Sequence, residues 1–245
     1  MKISIYLSLF FSLFLLSCDS KSDDSDSFIL QLDIAPVFGQ LDFNLEKTYE
    51  NDQNIPLLFT GFKYYMNHIQ LVHEDGSLHT MNEVALVDLS DVESMTVSGD
   101  MKPGKYVGLR FGLGLDPEYN SMDPTGFSPS HALSIMKNMH WGWAFKYKFS
   151  QIEGKFDDSS DGQLNQNFAW HPGLDTLYRE VEIAFSNRAL DDSNTHLELA
   201  LDLQEIIDGD ANLDLMNENF SHSSPENMFI VTKIVNNFAQ AFKVD

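Results

Sequence analysis

Val107-Gly108-Leu109-Arg110-Phe111-Gly112-Leu113-Gly114-Leu115 decides the fold class. Val107, Leu109, Phe111, Leu113 and Leu115 fall at alternate positions, with Gly108, Arg110, Gly112 and Gly114 between them. Period-two alternation puts one set on a buried face and the other on the opposite face of a strand. The pattern recurs in both directions along the chain. Leu30, Leu32 and Ile34 alternate with Gln31 and Asp33, and Leu41, Phe43 and Leu45 alternate with Asp42 and Asn44. Trp141, Trp143, Phe145, Tyr147 and Phe149 share one face opposite Ala144, Lys146 and Lys148. Val181, Ile183 and Phe185, then Leu197, Leu199, Leu201 and Leu203, complete the set. Such alternation is characteristic of antiparallel sheets with one wet face. The expected fold is therefore all-β, an antiparallel two-sheet β-sandwich.

Helical signals are confined to two places. Ser224-Pro225-Glu226 supplies a cap, a proline at the first helical position and an early acid. Ile230, Val231, Ile234, Val235, Phe238, Ala241 and Phe242 follow at helical spacing, so a C-terminal amphipathic helix is expected. His131 to Met139 reads as a short helix before the aromatic strand. No internal repeat or linker interrupts the pattern, which predicts one domain over residues 28–245.

The charge balance narrows the partners. Among 245 residues, 15 Lys plus Arg face 37 Asp plus Glu, a formal charge of −22. A phosphate-binding surface needs clustered cations, so no nucleic-acid partner is expected. Divalent cations and basic protein surfaces suit this chain better. At the N-terminus, Met1-Lys2 precedes a segment from Ile3 to Leu16 that is apolar apart from Ser4, Ser8 and Ser12. Leu15-Leu16-Ser17-Cys18 follows and resembles a bacterial lipobox. Residues 1–17 thus read as a lipoprotein signal peptide. Cys18 reads as the lipidated residue that anchors the chain to the membrane, and residues 18–27 as an acidic tether. The implied location is the bacterial outer membrane or cell surface. Cys18 is the single cysteine, which leaves no internal disulfide and no thiolate metal site.

Common enzyme signatures are missing. Gly112-Leu113-Gly114 lies inside a strand pattern without a third glycine, and His73-Glu74 lacks a second histidine four residues on. Gly126-Phe127-Ser128-Pro129-Ser130 breaks the nucleophile elbow at its last position. Asp208-Gly209-Asp210-Ala211-Asn212-Leu213-Asp214 spaces oxygen ligands as calcium loops do, so calcium is one reading and a hairpin turn at Asp208-Gly209 is the other. Among eight histidines, His196 sits on a polar strand face, and His73 and His79 flank the Asp75-Gly76 turn. His68 lies beside Tyr64 and Met66, His140 abuts Trp141, and His171 sits in the loop Trp170-His171-Pro172-Gly173.

The order of segments resembles the MbnP-like family of copper-binding proteins, which takes its name from association with methanobactin genes. The resemblance is carried by Phe38-Gly39, the run Phe62 to Leu71 with its Tyr64-Tyr65 pair, Leu86-Val87-Asp88 and Gly114-Leu115-Asp116-Pro117. Its most specific piece is Met139-His140-Trp141-Gly142-Trp143, followed by Phe168-Ala169-Trp170-His171-Pro172-Gly173. The resemblance implies a β-sandwich that binds one copper ion through histidines. It further implies a tryptophan-derived kynurenine at the site, produced with a dihaem peroxidase-like partner. His171 carries over directly, His140, His68 and His131 by proximity, and Trp141 and Trp143 as the residues open to modification. Ser121 stands where methanotroph relatives carry a histidine. The expected role is copper capture or delivery without turnover, so not an enzyme. The alternative is a non-metal β-sandwich lipoprotein that holds a glycan or a protein.

Overall fold

The computed structural model describes residues 27–45, 47–142 and 146–244. The signal segment, Cys18, most of the tether and Trp143 lie outside the described residues. The chain runs through β1 (Phe28–Phe38), β2 (Leu41–Asp42), β3 (Tyr49–Glu50), β4 (Pro56–His73), β5 (Leu78–Asp88), β6 (Thr96–Met101) and β7 (Gly104–Leu113). The short helix α1 (Pro117–Asn120), then β8 (Ser150–Phe156), β9 (Gln166–Trp170), β10 (Arg179–Leu190) and β11 (His196–Asp202) come next. Helix α2 (Leu203–Asp208), β12 (Phe220–Ser221), helix α3 (Met228–Gln240) and β13 (Phe242–Val244) close the chain.

Two sheets face each other. One has the order β13-β11-β1-β2, with β6 also on β1; the other has the order β10-β7-β4-β8-β9-β12, with β3 and β5 also on β4. Both are mixed rather than purely antiparallel, because β1 runs parallel to β11 and β9 parallel to β12. A parallel pair needs a long crossover. The chain supplies one in each case, since most of the second sheet lies between β1 and β11.

Strand β4 is the spine of the larger sheet. Its buried apolar residues run Leu57 and Phe59, then Phe62, Tyr64 and Met66, then Ile69 and Leu71. Each change of parity falls at a bulge, one between Phe59 and Gly61 and one around His68, whose φ is 49°. A bulge inserts one unpaired residue and swaps the faces beyond it. One edge of β4 pairs with β8 through Leu57–Tyr64 and then with β7 through Met66–His73, while β5 takes the other edge. The handover happens at Tyr65. Its N–H donates to the Phe149 carbonyl at 3.0 Å, and its carbonyl accepts from Gly114 N at 3.0 Å. The chain between Gly114 and Phe149 leaves and re-enters the sheet at this fork.

The main core fills the space between the sheets with Leu30, Leu32, Leu197, Leu199, Phe59, Phe62, Tyr64 and Phe168, among others. A second cluster sits under the excursion and contains Tyr65, Leu115, Leu133, Met139, Tyr147 and Phe149. Helix α3 joins the two, giving Ile230, Ile234 and Phe238 to the first and Val231 and Val235 to the second. Among the described residues no helix is long and apolar enough to cross a membrane.

Several expected elements differ. Of the expected strand from Trp141 to Phe149, residues 143–145 lie outside the described residues. Trp141 and Gly142 belong to no strand, and Tyr147 and Lys148 make only isolated bridges, to His140 and Gly173, although Tyr147 and Phe149 are buried. Trp141 N donates to the Lys146 carbonyl at 2.9 Å, and Phe149 N donates to the Pro172 carbonyl at 2.6 Å. His131 to Met139 contains only a 3-10 turn at Ile135–Lys137, stopped by Asn138 at φ 58°. Leu203 opens α2 instead of ending a strand, because Asp202 caps it by accepting from Gln204 N at 3.0 Å. Gly209 ends α2 rather than turning a hairpin. Phe242 leaves α3 and pairs with Leu201 as part of β13, where the free edge of β11 satisfies its backbone.

Gly114 has φ +96°, and a Cβ there would stand 2.5 Å from Phe149 Cδ2. Replacing it with alanine is therefore expected to lower stability by about 1–3 kcal/mol, through both strain and overpacking at the fork. Chemical denaturation with an unchanged slope checks this.

Candidate metal centre

The far end of the larger sheet assembles a row of polar side chains on the face away from the main core. Gln151 of β8 pairs with Lys63 of β4. Ile152 pairs with Trp170 and Ser221 with Trp170, so the next position brings Gln151, His171 and His222 side by side across β8, β9 and β12. Backbone bonds continue that register: His171 N donates to the Ser221 carbonyl at 2.9 Å. Ser223 Oγ donates to the His171 carbonyl at 3.2 Å and accepts from Gly173 N at 3.0 Å.

His171 is 7% exposed and His222 is exposed. Their rings stack at 4.5 Å between centroids with an 11° tilt. Trp141 leans over the pair, 6.4 Å from His171 and 6.2 Å from His222. Trp141 fits because position 173 is glycine: a Cβ there would sit 2.6 Å from Trp141 Cζ3 and 2.8 Å from the Tyr147 carbonyl. On the other side, His171 Nε2 lies 2.8 Å from Glu153 Oε1, while buried His171 Nδ1 has no partner among the described residues. A buried polar atom left unmatched costs about 1–3 kcal/mol, so its retention asks for an explanation.

Electrostatics keep both imidazoles neutral. Burial pushes His171 well below the usual histidine range, and the His222 and Lys148 charges push the same way against Glu153. Burial likewise lowers His222, with Lys148 adding to it. Lys148 is itself buried, and desolvation lowers its ammonium. Neutral imidazole is the form that ligates metals.

The other candidates lie elsewhere. His140 turns toward Tyr147 and Asp123; its Nδ1 accepts from Gly142 N at 2.9 Å, and burial lowers it against the Asp123 charge. It borders a cleft of about 450 Å³ shared with Asn120, Ser121, Asp123 and Lys146. His131 stacks on Phe127 at 4.2 Å and accepts from Leu133 N. His68 sits at the β4 bulge with Nε2 2.6 Å from Asp116 and Nδ1 3.0 Å from Glu83. Each ring nitrogen thus already has a carboxylate partner. In the calcium-like loop, Asp208 Oδ2 accepts from the distant Asp52 N and Asp214 Oδ1 from the nearby Met216 N, so a backbone N–H engages each carboxylate.

His222 is the member that sequence reading leaves out. It lies far along the chain from His171, and Phe220-Ser221-His222 is too short an alternation to announce a strand. Only the parallel pairing of β9 with β12 brings the two rings together. Among the described residues no three His, Cys, Asp or Glu side chains are arranged to hold a metal ion. The pair matches copper in donor type, yet its face-to-face stacking aims the two ring planes side by side. The exposed His222 ring would have to turn for both nitrogens to meet one ion.

The MbnP family model matches residues 28–229. Among solved structures, the fold is similar to that of MbnP from Methylosinus trichosporium, with 16% identity, a TM-score of 0.53, and coverage of 74% of this chain and 77% of that one. No curated protein matches this chain.

The His68 cluster gives a pH dependence of known sign. Burial alone would lower His68, but bonds to Asp116 and Glu83, with their charges, raise it above 6.5. A raised histidine stabilises the fold fully below its unfolded value and stops doing so as pH rises through its folded value. The stability difference between the wild type and His68→Gln is thus expected to be largest below pH 6.5 and to shrink at alkaline pH. Denaturation midpoints across pH check it.

Proposed function

This chain belongs to the MbnP family, and on that premise we propose that it is an envelope lipoprotein that captures or delivers copper. His171 and His222 serve as the nitrogen donors. Trp141 or Trp143, oxidised to kynurenine by a dihaem peroxidase-like partner, supplies a further donor. Intact indole has only an N–H donor and offers no lone pair to a metal. Cleavage of the indole C2–C3 bond, with two hydrogen peroxides reduced to water, gives a ketone and a formyl-capped aryl amine. Hydrolysis then releases formate and frees the amine, and either group can ligate.

The observation that carries this reading is the buried Nδ1 of His171, without a partner among the described residues, beside His222 and Trp141. Imidazole nitrogens suit copper, and the affinity order favours copper over other divalent first-row ions at such a site. Copper here is cargo. The protein's own part is to keep two imidazoles neutral, to shield one side of the site with Trp141, and to leave His222 at the surface where an ion can enter. The net charge of −22 draws cations toward that surface. Anchoring through lipidated Cys18 would hold the site at the outer membrane or cell surface.

Copper(I) competition titration of protein purified from its native envelope is expected to show one ion per chain. His171→Ala and His222→Ala should each weaken binding by about tenfold or more, on the scale of lost ligand interactions, while His68→Gln and His131→Ala leave it unchanged. Absence of copper binding in the wild type would end the assignment. Peptide mass spectrometry over Trp141 and Trp143 reads the modification directly. Separately, Cys18→Ser is expected to move the protein from the membrane fraction to the soluble one or to block its maturation.

A further inference from the structure

Lys148, Gln151, Glu153 and His171 form one unbroken hydrogen-bond chain. Lys148 Nζ donates to Gln151 Oε1 at 2.9 Å, and Gln151 Nε2 donates to Glu153 Oε1 at 2.9 Å. The same Glu153 oxygen lies 2.8 Å from His171 Nε2. This chain has a direction, because its two ends are chemically one-sided. An ammonium can only donate, so the Gln151 amide must turn its oxygen to Lys148 and its NH2 to Glu153. An ionised carboxylate can only accept, so His171 must bring a hydrogen on Nε2. A neutral imidazole carries one N–H, and the lone pair is then left on Nδ1. That is the buried nitrogen with no partner among the described residues.

We infer that Glu153 is the positioning residue of the site. Through the Lys148–Gln151–Glu153 chain it locks His171 in the Nε2–H tautomer and presents Nδ1 to the incoming cation. The identity of the cation rests on the copper reading above; the tautomer does not. Glu153 itself never touches the ion. Its effect is to fix which nitrogen is available, to hold the ring plane and to raise the basicity of the free nitrogen, as carboxylates behind metal-ligating histidines do. Lys148 gives the chain its polarity, since an uncharged residue there would leave the Gln151 amide free to flip. The link from Glu153 to His171 exists only where β8 and β9 pair.

The test uses the ¹⁵N-labelled protein and long-range proton–nitrogen correlation spectra, with the His171 signal assigned by its loss in His171→Gln. In metal-free wild type the Nε2–H pattern is expected; an Nδ1–H pattern overturns the inference. On titration with copper(I) alone, the Nδ1 resonance should shift while Nε2–H persists, and loss of Nε2–H would overturn it equally. Glu153→Leu keeps the bulk but accepts nothing, and should both scramble the tautomer and weaken copper(I) binding by about 10–100-fold. Glu153→Gln, whose amide oxygen can still accept, should restore both. If Glu153→Leu keeps the tautomer and the affinity, the residue is merely structural and the inference falls. If the wild type binds no copper, the functional reading fails, and the metal-free spectra still judge the role of Glu153.

Discussion

The structure depends on a change of partner along one edge of β4. Up to Tyr64 that edge belongs to β8, and from Met66 onward it belongs to β7. A strand edge can serve only one neighbour at each residue, because every N–H and C=O makes its bond once. Tyr65 therefore splits its two backbone bonds between Phe149 and Gly114, and everything between those residues must leave the sheet and return. Its described apolar residues, Leu133, Met139 and Tyr147 among them, pack on Tyr65 and on Val231 and Val235 of α3, forming a second small core beside the main one. Gly114 permits the close return because the space of its missing Cβ is taken by the Phe149 ring.

From that fork the site follows by register alone. The return delivers Trp141 on the excursion and Lys148 just before β8. Beyond it, β8 carries Gln151 and Glu153, β9 leads to His171, and β12 leads to His222. The result is an outer-face patch in which one imidazole is nearly buried, one is exposed, and a buried ammonium stands close to both. In a chain of charge −22, a local positive group beside two neutral rings is an exception that favours lone pairs over protons. His68, with Asp116 on one ring nitrogen and Glu83 on the other, instead ties β4 to β5 and to the start of α1.

Much of this was written in the sequence. Alternation at Leu30–Ile34, Val107–Leu113 and Leu197–Leu201 specifies strands because side chains of a pleated backbone must point to opposite faces, whatever the partner strand. The apolar spacing of Ile230, Val231, Ile234, Val235 and Phe238 specifies a helix for the same local reason. Family resemblance along the chain identified the MbnP family and singled out Trp141 and His171, whose ring centroids lie 6.4 Å apart. Alternation failed where tertiary contacts override it. The bulges of β4 switch faces without a local cue, and Tyr147 and Lys148 make isolated bridges rather than strand pairs.

What the sequence by itself determined is which residues are strand, helix and core, because burial and periodicity are local properties of the chain. What only the tertiary structure decided is which polar residues meet. The parallel pairs β1–β11 and β9–β12 join segments far apart along the chain, and parallel pairing leaves no turn signal to read. His222 reaches His171 by such a pair, and Glu153 reaches it across an antiparallel one. A hydrogen bond or a ligand set is a relation between positions in space, and registers across strands set those positions.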